Sequence, residues 1–528
     1  MTGRGAGEGT GGGADGRGTG PVGARVSGKG TGPGTARVSG KGSAPERQRL
    51  FIGGEWVEPD GGHYEVVNPA TETVVGLAPE ASRAQVYAAA GAAREAFGAW
   101  SRTAPDERAR ILDAAADIIL RNSAAYAELA REESGATAAT ARGMQVAVGA
   151  ARFRRYARGA LEPVEQPLPP QINPAGPMGK AGVFGAVAVR RPVGVVTCIT
   201  SYNNPWANPA GKVAPALAVG NTVVVKPAPQ DPLSVFRMAE ALQEAGVPPG
   251  VVNVVTGSAP GVGEAAVDSP DVDMVSFTGS TEVGQRIAEV CGRGMKRQLM
   301  ELGGKGAALV LDDADLDSAV MGIGTTFSFY SGQICTAPTR VIAQRGIYDR
   351  LVGRLAAYLG RLTVGDPAEP GTVVGPVISA AHRDRVESYI ELGRTEGARL
   401  VAGGERPAFG KGFYVAPTLF ADCASGMRVV REEIFGPVVV IVPFDTEEEG
   451  IALANDSDYG LIDYVWSGDV ARAFRIAGEL RAGGVGLNTI GRNMEAPFGG
   501  FKKSGVGRDV GSYALHAYSE TQALVWPG

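Results

Sequence analysis

Ser331–Arg340 reads SGQICTAPTR, and Cys335 within it is one of only four cysteines in 528 residues. A thiolate is the strongest nucleophile among ordinary side chains, and its use depends on a lowered pKa or a nearby base. A lone free cysteine is more often a small buried hydrophobe, so Cys335 needs partners before it means chemistry. Thirty-four residues upstream stands Glu301 in MELGGKGAALVL, a carboxyl between Met300 and Leu302 and followed by two glycines. Apolar neighbours raise a carboxyl pKa and make it a better base near neutrality; an isolated glutamate before Gly-Gly is otherwise a solvated cap. Asn203 in TSYNNP supplies an amide able to donate to an oxygen that gains charge, or else is a turn residue before proline.

ELGGK (301–305) and GQICTAPTR (332–340) resemble the base and nucleophile signatures of the aldehyde dehydrogenase superfamily. The resemblance runs from about Phe51 to Trp526. It implies that Cys335 attacks an aldehyde, that the thiohemiacetal yields hydride to a nicotinamide, and that water hydrolyses the thioester with Glu301 as base. Asn203 and the Cys335 N–H would hold the oxyanion. Many relatives read P-W-N-F-P where this chain has Ser201-Tyr202-Asn203-Asn204-Pro205, so Asn203 is the matching donor and Tyr202 and Asn204 alter the pocket lining. A CoA-acylating relative, which typically lacks the base matched by Glu301, is one alternative; a thiol hydrolase or binding protein on the same fold is another.

For a cofactor, GSTEVG (279–284) is neither G-x-G-x-x-G nor a P-loop. Alone it is only a loop opening a helix whose N–H groups could face phosphate. The family's F-T-G-S-T-x-x-G segment binds the dinucleotide, and Phe277, Thr278, Gly279, Ser280 and Gly284 match it. Lys226 in KPA matches the lysine that reaches the adenosine ribose. Pro229 stands where many NAD-preferring relatives carry a glutamate, so NAD or NADP is expected. Glu433 and Phe435, in EEIFGPV, match residues on the nicotinamide-side ribose, although spacing alone reads that stretch as a surface turn. Ile334, Thr336, Tyr202, Asn204 and Trp206 are expected to shape the approach to the thiol, with Trp206 available to stack on an aldehyde. Arg492 and Asn493 precede PFGG and could meet a carboxylate-bearing semialdehyde. A loop arginine is ordinarily solvated, so a neutral aldehyde is the expectation.

The elements that must hold these residues follow from periodicity. GVVTCIT (194–200), NTVVVKPA (221–228) and VDMVSFTG (272–279) are continuous apolar runs with helical text between them, the pattern of a parallel sheet buried on both faces. Ligands of such sheets bind beyond the carboxyl ends of the strands, where Thr200–Pro205, Lys226 and Thr278–Gly284 fall. Helices are predicted over 84–100, 105–122, 208–220 and 234–246, an irregular Pro-rich stretch over 161–181, and a terminal strand over 516–525. The expected class is α/β: a Rossmann-like dinucleotide-binding domain (49–160 and 192–301), a second α/β catalytic domain (302–495), and a small β oligomerisation element (161–191 and 496–528). The terminal strand matches a family element that pairs with a neighbouring subunit, so a homodimer or homotetramer is expected.

Residues 1–48 read as a disordered Gly-rich tail, with 17 glycines in the first 42 positions and ARVSGKG twice. The tail carries +4, leaving −9 on the rest against −5 overall, an acidic body that argues against nucleic-acid binding. Scattered cysteines and only three histidines suit a reducing cytoplasm and no metal centre. No apolar run reaches the length of a membrane span.

Overall fold

The structure, a computed structural model, describes residues 45–177 and 179–527. Eight strands form the first sheet, in the order Gly505–Val506, Arg297–Glu301, Met274–Thr278, Val195–Ile199, Thr222–Lys226, Val252–Val254, Leu50–Ile52, Glu55–Val57. The five from Arg297–Glu301 to Val252–Val254 run parallel, and the outer three join through antiparallel pairs. Every residue of Val195–Ile199 and Thr222–Lys226 is buried, which is what their unbroken apolar runs require. The crossover helices are Ala207–Val219 and Leu233–Glu244. Arg83–Trp100 starts with a capping box between Ser82 and Gln85, and Pro105–Arg121 opens on its N1 proline. Separate apolar clusters cover the two faces of this sheet.

A second sheet has seven strands, Arg399–Ala402, Thr418–Ala421, Val438–Phe444, Arg340–Gln344, Ala307–Val310, Ile462–Trp466 and Gly484–Leu487. All its pairs are parallel except the edge pair at Arg399–Ala402. The third sheet is antiparallel, with Gly182–Pro192 between Ser519–Pro527 and Glu165–Asn173.

Two expectations change here. The Pro-rich stretch is not irregular throughout: Glu165–Asn173 is a strand although it contains Pro167, Pro169 and Pro170. It lies at a sheet edge, and its register shifts between Leu168 and Gln171, the two settings in which a residue without an N–H is tolerated. The terminal strand is preceded by a helix, Gly511–Ala517, which takes His516 out of it. Ala514 and Leu515 of that helix are fully buried with Phe153 and Trp206, so packing sets the local structure. The predicted disordered tail lies, through residue 44, outside the described residues. From there the chain runs beside Val74–Pro79, with the Gln48 N–H on the Leu77 carbonyl and the Leu77 N–H on that of Glu46. Among the described residues no helix is long and apolar enough to cross a membrane.

Candidate active site

Parallel register carries the chemistry to one edge of the first sheet. Ile199 pairs with Lys226, Phe277 with Ile199, and Thr278 with Glu301. The strands therefore end at a common level, and the Asn203 loop, Lys226, Gly279–Gly284 and Glu301 leave from it.

The Cys335 segment meets that edge from the other sheet. After the helix Leu316–Ser328 the chain turns through three left-handed residues, Tyr330, Ser331 and Gly332, with φ of 52°, 57° and 73°. For the two with side chains that conformation costs about 1–2 kcal/mol each, so other contacts must hold it. Ser331 Oγ donates to the Gly375 carbonyl at 2.7 Å, and Gln333 Oε1 accepts from the Ile378 N–H at 3.0 Å. Gly332 admits no side chain: a Cβ there would lie 2.2 Å from the Gly436 carbonyl oxygen. Most directly, Asn203 Nδ2 donates to the Gln333 carbonyl at 2.7 Å, which ties the asparagine loop to the backbone two residues before Cys335. Because a carbonyl can only accept, this bond fixes the amide's orientation. Ser201 Oγ supports it by donating to Asn203 Oδ1 at 2.8 Å, and the second amide proton has no acceptor among the described residues.

Cys335 is partly exposed, yet burial pushes its thiol up to about 12, with Arg492 the main opposing influence and Glu433 and Glu301 adding to the rise. The resting sulfur is therefore protonated and needs a base. Glu301 is buried, and neither carboxyl oxygen has a hydrogen-bond partner. Burial, then Asp509, hold its pKa well above the usual carboxylate range; Lys212, Arg508 and Arg492 pull it down. The two glycines after it are packing requirements. A Cβ on Gly303 would meet Glu433 Oε2 at 2.2 Å, and one on Gly304 would meet the Cys335 carbonyl oxygen at 2.5 Å. Gly304 N–H donates to Glu433 Oε1 at 2.9 Å, so the segment after Glu301 bonds Glu433 and packs against the Cys335 backbone. Burial pushes Glu433 up to about 7.

The remaining predicted residues lie around this core. Phe435 has a φ of 62°, accepts from or donates to nothing through its ring, and meets Tyr202 edge-on at 5.9 Å. Its carbonyl bonds His382 Nε2 at 2.7 Å. Lys226 is buried, which lowers its ammonium to about 8 against the opposing charge of Glu80. Ser280 caps the helix Thr281–Arg293 through the Val283 N–H, and Gly284 lets that helix close on Leu302. Thr278 is half-buried; Phe277 is a core side chain beneath Gly279 rather than a ligand contact.

Trp206 does not shape the approach. It is fully buried and stacked on Tyr126 at 4.8 Å, because it begins a helix whose whole circumference is covered. Asn204 is held by Gln145 Nε2 at 2.9 Å, from the π-helical turn Ala141–Val146. Ile334 packs on the large core. Thr336 is buried; its carbonyl accepts from Tyr464 OH, and its hydroxyl accepts from the Arg492 guanidinium. Sequence reasoning missed Gln145, Lys212, His382 and Asp509. None stands in a motif with its neighbours; only ELGGK and the cysteine stretch carried a legible signal.

A thiol, an amide and a buried carboxyl gather at the strand ends of a parallel sheet, the edge at which such sheets bind ligands. The aldehyde dehydrogenase family profile matches residues 56–524. Geranial dehydrogenase of Castellaniella defragrans is 41% identical over 483 residues, covering 91% of this chain and 98% of that protein. Betaine aldehyde dehydrogenase of Bacillus subtilis is 37% identical over 486 residues, covering 90% and 96%. The NAD+ complex of an aldehyde dehydrogenase from Bacillus cereus superposes with a TM-score of 0.85 at 39% identity, covering 91% and 97%. The chain belongs to the aldehyde dehydrogenase family. It is an oxidoreductase that oxidises an aldehyde with a nicotinamide dinucleotide.

Proposed function

We propose that the chain releases a free carboxylic acid, with Cys335 as nucleophile, Asn203 and the Cys335 N–H as oxyanion donors, and Glu301 as the base that directs water. The observation that carries this reading is the Asn203–Gln333 hydrogen bond: it joins an oriented amide, one proton still free, to the cysteine backbone, beside a buried carboxyl whose oxygens bond nothing. Sulfur attack makes the carbonyl carbon tetrahedral, and two preorganised donors take up the charge on its oxygen. One such donor is worth about 10²–10³ in rate. A bound dinucleotide supplies the hydride acceptor. Glu301, with its raised pKa, then removes a proton from water attacking the thioester. A base of this kind is superfluous to an enzyme that passes its acyl group to CoA, which favours hydrolysis over the acylating alternative. The residues present suit the cofactor. Lys226 is a buried residue at the sheet edge whose ammonium makes no hydrogen bond among the described residues, leaving its N–H groups for ribose hydroxyls. The 13-residue helix Thr281–Arg293 offers its N-terminal N–H groups at the same edge for phosphate, and Glu433 keeps one carboxyl oxygen for the second ribose.

The division into a dinucleotide-binding part (49–160 and 192–301), a catalytic part (302–495) and an oligomerisation element (161–191 and 496–528) belongs to the same reading. The third sheet supports a homo-oligomer. Both its outer strands are edges, and Ile172, Val525 and Trp526 on them are 81%, 64% and 49% exposed, an invitation to pairing. Four free cysteines support residence in the reducing cytoplasm. Replacing Cys335 with Ala tests the central assignment: NADH formation from aldehyde should vanish while NAD+ binding, read by calorimetry, persists. Retained turnover would refute it.

A further inference from the structure

We propose that Ser201, Asn208 and Gln145 are positioning residues for Asn203: a one-way chain of hydrogen bonds, with a clamp on the loop beside it, holds the Asn203 amide so that one proton is kept for the oxygen that gains charge at Cys335. The inference rests on Asn203 being an oxyanion donor.

The chain has a fixed sense. Gln333 offers Asn203 a carbonyl at 2.7 Å, and a carbonyl only accepts, so Nδ2 must face it and Oδ1 must turn away. Oδ1 then meets Ser201 Oγ at 2.8 Å. An amide oxygen also only accepts, so the hydroxyl proton goes to it. Ser201 Oγ is left with lone pairs for its other neighbour, and Asn208 fills that place with Nδ2 at 2.9 Å. Every bond from Asn208 to Gln333 therefore runs in one direction, and flipping either asparagine would set two acceptors face to face. Asn203 is buried, where an unpaired acceptor is costly, so the flipped states are disfavoured. Hydrogen bonds aligned head to tail also polarise one another. A hydroxyl donating to Oδ1 draws charge from the amide nitrogen and makes its second proton a stronger donor.

Both ends of the chain are anchored. Asn208 lies in the first turn of the helix Ala207–Val219 between buried Ala207 and Pro209, and its backbone N–H donates to the Asn204 carbonyl at 3.1 Å. Gln333 is tied through its Oε1, which accepts the Ile378 N–H. The clamp is Gln145, a buried side chain whose Nε2 donates to Asn204 Oδ1 at 2.9 Å and to the Asn203 carbonyl at 3.4 Å. It belongs to the turn Ala141–Val146, wound as a π-helix, a form that recurs at functional sites. Ser201 and Asn204 stand where many relatives carry the first proline and the phenylalanine of P-W-N-F-P. Neither of those side chains could make these bonds, so the device belongs to this sequence.

The test is a set of double-mutant cycles read as the single-turnover rate of NADH formation and KM for the aldehyde, with Tm and calorimetric NAD+ binding to confirm folding. Ser201→Ala should slow NADH formation about tenfold, a part of what one oriented donor is worth, with little change in KM. Ser201→Thr, which restores the hydroxyl, should recover most of the loss. Asn208→Ala and Gln145→Leu, which loosen the same amide from the helix and from the π-turn, should slow it by smaller factors. In an Asn203→Ala background all three losses should vanish, because they act only through that amide. Losses that persist undiminished in that background would overturn the proposal, as would a folded Ser201→Ala enzyme at the wild-type rate. Asn203→Ala alone judges the reading beneath it: an unchanged rate there removes Asn203 as an oxyanion donor, whereas a slowed Asn203→Ala beside an unaffected Ser201→Ala refutes the positioning residues only.

Discussion

The role of base proposed for Glu301 rests on what surrounds it and not on its place in the sequence. A carboxyl whose pKa is raised stays protonated as pH increases past the ordinary carboxylate range, and ionises only above it. Thioester hydrolysis should accordingly speed up as pH rises above the ordinary carboxylate range and the ionised fraction grows. In Glu301→Gln that rising limb should be absent from the pH profile of kcat, and a limb that survived would assign the base elsewhere. A carboxylate also stands near the proposed ribose lysine. Glu80 accepts the Ser258 N–H through both oxygens, at 3.1 and 2.9 Å, and sustains the charge on Lys226. A fixed negative charge beside Lys226 disfavours a 2′-phosphate. Glu80→Gln should therefore raise kcat/KM for NADP relative to NAD by about tenfold or less, since the group is half-buried and screened. No change in that ratio would place Glu80 outside the nucleotide site.

At the scale of elements, the nucleophile loop is a strained turn paid for by side-chain ties. Gln333 is its clasp: the side chain accepts the Ile378 N–H and donates to Tyr330, while the backbone carbonyl accepts from Asn203. Gln333→Leu leaves a buried N–H unsatisfied, a loss of about 1–3 kcal/mol. It should lower Tm and reduce kcat more than it raises KM; an unaltered kcat would show that the clasp does not position the thiol. Gly332→Ala should be worse, because a Cβ meets backbone that cannot move aside. Much of this scale was readable in advance. The buried strands announced themselves as unbroken apolar runs, and ELGGK and GQIC pointed to Glu301 and Cys335, which the fold brings to one region. Trp206 was misread because a large aromatic after a loop can face a ligand or a core, and only the packed helix behind it decides. Lys212, His382 and Asp509 were invisible for a related reason. Their nearness to Glu301 or Phe435 comes from the return of distant chain, and periodicity carries no record of that. The prolines of Glu165–Asn173 hid a strand that an edge position permits.

Across the whole molecule, a thiol from one sheet and an amide and a carboxyl from the other meet at a single seam. The third sheet stands apart from that seam with apolar side chains in solvent. Val525→Asp, at a position 64% exposed, should turn the proposed homo-oligomer into monomer in light scattering after size exclusion, with wild-type far-ultraviolet dichroism. A wild type that is itself monomeric would refute the pairing.

The division of labour between sulfur and carboxyl is tested most directly by a single-turnover experiment on Glu301→Gln. Mixed with NAD+ and aldehyde, the variant should release a burst of about one NADH per active site and then stall. Intact-mass analysis should show the acyl group retained, mapped by peptide digestion to Cys335. Steady turnover at the wild-type rate, or a burst without an adduct on Cys335, would contradict it.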